Sequence, residues 1–287
     1  MFLPRRACRP LQLALVLLAW LLPAQPLAAA AEIPRLPAEL GRVVYRQNPA
    51  SPNQLFIVAD SHRSSLTGAN GPATVQAQLE TFRIGAWLID RRQVALLLPE
   101  GFFGNWQQLA VAVAPSPPDE AALRRELADT SHFVNAELLL HRRFGIALGQ
   151  VEDHELYCRA GRQLRAGLEE NALLNPGYAT TLDYLQQRRL ASMLQRAPQV
   201  IAAAFRQGQI ATPRAMLTIG MAHLDDLLRI LRGGEIRIPT PQPGDSAFPA
   251  LEETLRLQQE GCGIAVIVPP ALSADRPWLA AALPTTE

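Results

Sequence analysis

The stretch QLFIVADSH, Gln54 to His62, decides the fold. Leu55 to Ala59 is apolar without alternation, the pattern of a strand covered on both faces, and it stops at Asp60-Ser61-His62. A strand buried on both sides belongs to a parallel sheet whose crossover helices lie on its two faces. The rest of the chain repeats this unit. After a loop with Gly68 and Gly71, residues 73–91 carry Val75, Leu79, Phe82, Ala86 and Ile89 at helical spacing. A second strand, VALLL at 94–98, ends at Pro99-Glu100-Gly101. Prolines break the chain before residue 119, and residues 119–144 read as helix in two pieces. A third strand at 146–151 ends at Glu152-Asp153-His154, and two helices follow, at 154–174 and 178–207. A fourth strand, AMLTI at 215–219, ends at Gly220-Met221-Ala222-His223, with a helix at 224–231. Strands at 235–238 and 264–268, with a helix at 249–260 between them, complete the order. The predicted fold is α/β, a mostly parallel central sheet covered by helices on both faces, with an inserted helical segment.

The N-terminus reads differently. Arg5, Arg6 and Arg9 precede an apolar run from Leu11 to Leu22, and small residues follow at Ala28 to Ala31. This is the layout of a secretory signal peptide over residues 1–31, of bacterial type, and it predicts a periplasmic or secreted protein. An uncleaved anchor is the alternative, and the membrane would then be a partner only through that segment. Residues 32–53, rich in proline and polar side chains, read as an arm or linker, and 54–287 as a single domain. The chain has 27 basic residues, all arginine, against 26 acidic ones. Such a balance gives no reason to expect nucleic acid as a partner. Cys158 and Cys262 lie beyond the signal, and an oxidising compartment would permit a disulfide between them as readily as two buried thiols.

Four apolar strands end in ionisable residues, and in a parallel sheet those ends share one edge, where α/β proteins place ligands. His62, Glu100 and His223, with Glu152 from the third strand, form a plausible ligand set for a divalent ion such as manganese, cobalt or zinc. Without a metal the same groups serve as general base and acid, a histidine beside a carboxylate being poised near neutral pH. Each has a plainer reading. His62 could cap the next loop, His223 could be a surface residue, and Glu152 and Asp153 could cap the following helix. His132 and His141 read as solvated helix residues, and Ser61 lacks a nucleophile elbow. Arg189 falls on the apolar stripe of Tyr178, Leu182, Leu185 and Met193, and Arg83 lies beside the apolar face of the first helix. An arginine so placed needs a carboxylate or an anionic ligand, or else its stem packs while its head reaches water.

The ordered set resembles the Tiki/TraB, erythromycin-esterase and ChaN-like superfamily. Ile57-Val58-Ala59-Asp60-Ser61-His62 is similar to its first Gly-x-x-His strand motif, with Ala59 in place of the glycine. Leu97-Leu98-Pro99-Glu100-Gly101 resembles the strand ending in glutamate, and Gln150-Val151-Glu152-Asp153 the middle acidic strand end. Arg189 with Met193 resembles the Arg-x-x-x-Met helix motif, with Leu190 where Asn or Asp is usual. Gly220-Met221-Ala222-His223 is similar to the late Gly-x-x-His motif. The resemblance spans roughly residues 54–268.

The resemblance implies one of three activities: a metal-dependent protease, an esterase that opens lactones by activating water, or a haem- or iron-associated protein. The expectation is an exported hydrolase acting on an ester, lactone or peptide bond of a small-molecule or peptide substrate. His62, Glu100 and His223 would bind an ion or activate water, with Arg189, and Arg83 as a weaker candidate, orienting carboxylates or substrate. A non-enzymatic haem- or iron-binding protein is the alternative. Oligomeric state is not legible.

Overall fold

The apolar runs at 55–59, 96–98, 215–219 and 264–268 become sheet strands in the computed structural model, which describes residues 35–62, 70–104, 119–168, 176–233, 235–237, 254–256 and 261–273. The strands are β1 (Arg42–Gln47), β2 (Asn53–Asp60), β3 (Leu96–Pro99), β4 (Ala147–Leu148), β5 (Arg214–Gly220) and β8 (Cys262–Val268). They form one six-stranded sheet in the order β1-β8-β2-β5-β3-β4. All pairings are parallel except that of β1 with β8. A separate antiparallel pair, β6 (Glu235–Arg237) with β7 (Thr254–Arg256), stands outside it. The chain from Leu36 onward is one compact unit.

Period-two alternation of β2 divides the core. Leu55, Ile57 and Ala59 face one side, with Leu185 and Leu190 of α5 (Pro176–Arg206) and Leu227 and Leu228 of α6 (Leu224–Gly233). Phe56 and Val58 face the other, with Leu79 and Phe82 of α1 (Pro72–Arg92), Leu123 of α2 (Glu120–Ala128) and Leu139 and Leu140 of α3 (Ala136–Phe144). Helices therefore cover both faces, and the predicted fold class holds.

Local signals set the helix ends. Pro72 opens α1, where its missing N–H costs nothing, and Gln93 closes it in the left-handed region at φ 54°. Asn135 caps α3 by accepting from Leu138 N at 2.9 Å. Asp153 caps α4 (His154–Ala166), accepting from Glu155 N at 2.9 Å and Leu156 N at 3.1 Å.

Several expectations are corrected. The segment read as arm or linker contributes β1, which adds to the sheet edge against β8 across a bulge between Val43 and Tyr45. The third strand shrinks to two residues at an edge. The strand expected at 235–238 leaves the main sheet, and residues 254–256 of the expected helix at 249–260 pair with it as a strand. The rest of that helix lies outside the described residues, as does the segment 1–31 read as a signal peptide. Cys158 and Cys262 are free thiols. No helix among the described residues is long and apolar enough to cross a membrane.

Candidate functional site

Register brings the site together. β5 lies between β2 and β3, with Asp60 opposite Gly220 and Pro99 opposite Thr218. The three strands thus end level, and Glu100 N continues the ladder by donating to Thr218 O at 3.2 Å. His62 stands two residues past β2, Glu100 directly after β3, and His223 at the end of a short 3-10 turn that follows β5. The strand-end residues His62, Glu100, His223 and Glu152 lie together at this edge, and Arg189 of α5 reaches it from the helix.

Glu100 is the hub. Its Oε2 accepts from Gly220 N at 2.6 Å and lies 3.2 Å from His62 Nε2. Its Oε1 accepts from Arg189 Nη2 at 2.9 Å and lies 3.4 Å from His223 Nε2. Arg189 reaches back through Nε to Glu152, whose other oxygen accepts from Gly101 N at 2.7 Å. Its third nitrogen donates to Gln186 Oε1 at 2.7 Å. The side chains of Arg189 and Glu152 are buried, at 6% and 0% exposed, so the guanidinium between two carboxylates fulfils the expectation for a cation on an apolar stripe. Tyr157 stacks over the same guanidinium, 5.0 Å from ring centre to Cζ, and leans on Phe103 at 4.8 Å.

Gly220 has a steric reason. A Cβ there would lie 3.1 Å from His62 Cδ2 and Nε2 and 3.4 Å from Glu100 Oε2, so a side chain would push into the histidine–carboxylate pair.

Behind His62 stands a group that the sequence reading leaves without a role of its own. Asp60 is fully buried, with Oδ2 3.4 Å from His62 Nδ1. Gln78 Nε2 donates to Asp60 Oδ2 at 2.7 Å and Thr81 Oγ1 to Oδ1 at 3.0 Å. The legible signal is alternation, which turns Asp60 to the same face as Phe56 and Val58, toward α1. Glu137 of α3 is buried on that face too, accepting from Thr218 Oγ1. Its Oε2 has no partner among the described residues.

The charges are arranged by these contacts. Burial opposes ionisation of Glu100, but the hydrogen bonds of His223 and His62, with the charge of His62, hold it well below the usual carboxylate range. Burial also opposes charge on His62, yet the hydrogen bond and charge of Glu100, with the charges of Asp60 and Glu137, raise it to about 10. Burial, then repulsion by Glu137, lifts Asp60 to about 7. His62, with 39% of its side chain exposed, is the member of the charge cluster open to solvent.

Other candidates fall elsewhere. Arg83 is half-buried and pairs with Glu120 at the surface, away from the Glu100 cluster. His141, expected to be solvated, is buried with Nδ1 2.7 Å from Ile146 O. His132 is exposed beside Asp129. His154 packs edge-on against Phe103 at 5.0 Å, and Asp153 is a helix cap. Ser61 Oγ lies 3.4 Å from Thr74 Oγ1, outside the charge cluster.

The donor set fits a metal ion poorly. Two imidazoles, one guanidinium and one backbone N–H already surround the two oxygens of Glu100. A cation there would displace Arg189 from its neighbour. Among the described residues no group of three or more His, Cys, Asp or Glu side chains is arranged to hold a metal. Comparison of the chain with models of protein families, with curated proteins and with solved structures finds no match in any of the three.

Proposed function

We propose that the protein is an exported hydrolase that cleaves an ester, lactone or peptide bond by activating water between two histidines joined through one carboxylate. The observation that carries this reading is Glu100, with His62 at 3.2 Å on one oxygen and His223 at 3.4 Å on the other. The two imidazoles differ in setting, and different settings assign acid and base. His62 is open to substrate and is held as the imidazolium by Glu100 and Asp60, so it donates a proton. His223 turns Nε2 to the ionised Glu100, which favours the tautomer with Nε2–H and leaves Nδ1 as acceptor.

In the cycle that follows, water attacks the carbonyl carbon while His223 Nδ1 takes its proton. The bond to the leaving oxygen or nitrogen breaks as His62 gives that atom a proton. Glu100 lies against both rings, and proton exchange through it or through solvent restores the starting state. Arg189 keeps Glu100 anionic and fixed, and Glu152 keeps Arg189 in place. No step requires a metal, which accords with the crowding of Glu100. The resemblance to the Tiki/TraB and erythromycin-esterase superfamily, carried by the same residues, supports a hydrolase. Its metal-dependent members are not the ones this donor arrangement favours.

The test is a panel of 4-nitrophenyl esters, lactones and peptides, assayed with the protein and with His62→Ala and His223→Ala. Turnover abolished in both folded variants supports the reading. Unchanged turnover in either removes that histidine from the mechanism. A silent panel together with tight haem or iron binding favours the ligand-binding alternative.

A further inference from the structure

At the opposite end of the sheet from Glu100, three arginines from three elements gather with no acidic partner among the described residues. Arg92 closes α1, Arg214 opens β5, and Arg46 lies on β1. Register puts their side chains on one face. Arg214 pairs with Gln54, Arg46 with Ala265, and Ala265 with Phe56. Gln54 and Phe56 are alternate residues of β2, so all three arginines belong to the α1 side of the sheet. The Arg92 guanidinium stacks on the Phe56 ring, Cζ 5.1 Å from its centre, and donates to Gln54 Oε1 at 3.0 Å. Arg214 Nη1 donates to Arg92 O at 2.9 Å, while its buried Nε has no partner among the described residues.

Arg92 is 8% exposed, and among the described residues no carboxylate lies within ion-pair distance of Arg46, Arg92 or Arg214. A buried guanidinium ordinarily has an anionic partner. The C-terminal carbonyls of α1 supply about half a negative charge. That leaves most of three positive charges uncompensated. Burial, then the neighbouring Arg214 and Arg46, lower Arg92 to about 10, which reports the same excess of positive charge.

We infer that Arg46, Arg92 and Arg214 form an anion site for a phosphate group, separate from the Glu100 site. A phosphate matches three guanidinium forks better than a halide does, because its several oxygens accept paired N–H donors. Arg92 forms the floor, exposed Arg46 and half-buried Arg214 form the open sides, and Gln54 orients the floor. The inference stands independently of the hydrolase reading. Free phosphate compounds and phospholipid headgroups share this chemistry.

The test is calorimetric titration of the purified protein with sodium phosphate, against sodium chloride at matched ionic strength. Sedimentation with phosphatidylglycerol and with phosphatidylcholine vesicles is measured alongside. The expected result is saturable phosphate binding weakened about tenfold or more by Arg46→Ala and by Arg214→Gln. Arg46→Ala removes an exposed side chain, and an unchanged melting temperature separates loss of binding from loss of fold. Sedimentation with phosphatidylglycerol alone, abolished by both substitutions, supports the site with a lipid headgroup as its source. Phosphate without effect together with no sedimentation overturns the inference, as does binding that both variants retain in full.

Discussion

Gly220 and His62 are in steric register: a Cβ on Gly220 would lie 3.1 Å from two ring atoms of His62. The backbone of Gly220 is extended, at φ −58° and ψ 138°, so the constraint comes from the neighbour and not from chain conformation. Gly220→Ala should fold, with a stability change of about 1 kcal/mol or less, because His62 is half-exposed and can shift. Hydrolysis should fall by about tenfold or more, since displacements of a fraction of an ångström cost rate. Parallel measurement of melting temperature and turnover checks this.

Arg189 should be the most costly side chain of the site to remove. Arg189→Met leaves Glu100 and Glu152 facing each other without their shared cation, and the expected loss is about 3–5 kcal/mol in urea unfolding. The double substitution Arg189→Met with Glu152→Gln should recover part of that loss, because the uncompensated buried charge is then reduced.

The pH dependence has a definite sign. His62 is raised from 6.5 to about 10, so its contribution to stability is full below 6.5 and is lost as pH rises through about 10. Asp60 is raised from 3.8 to about 7, so between those values the folded state holds a proton that the unfolded state releases. Its contribution favours folding below 3.8 and declines up to about 7. Urea unfolding across this range should show stability falling between 3.8 and 7 less steeply in Asp60→Ala than in the unaltered protein.

Much of the fold was legible because β2, β3 and β5 are buried on both faces and so appear as unbroken apolar runs ending in charge. β1 was not legible: an edge strand with arginines at 42 and 46 and a bulge between Val43 and Tyr45 carries neither a continuous nor a clean alternating pattern. At the site, the residues at strand ends could be read directly. Asp60 and Glu137 could not, because their role depends on depth, and depth comes from the helices packed over β2 and β5. His141 follows Glu137 by one helical turn and is buried with it, where its place within a helix read as that of a solvated residue.

Arg83 serves as a control. Its surface pair with Glu120 should contribute little, so Arg83→Ala should change stability by about 0.5 kcal/mol or less and leave hydrolysis unaltered.

Removal of metal should also leave hydrolysis unaltered. Dialysis against a chelator strips ions held by histidine and carboxylate, and a rate that falls and returns with added zinc, manganese or cobalt would restore the metal reading.

Nitrogen NMR of the histidine side chains tests, without a substrate, whether Glu100 holds His62 as an imidazolium at the mouth of the site. Both ring nitrogens of His62 should stay protonated well above neutral pH, with a midpoint near 10, and Glu100→Gln should move the midpoint down toward 6.5. A His62 midpoint near 6.5 in the unaltered protein would contradict this hold of Glu100 on His62.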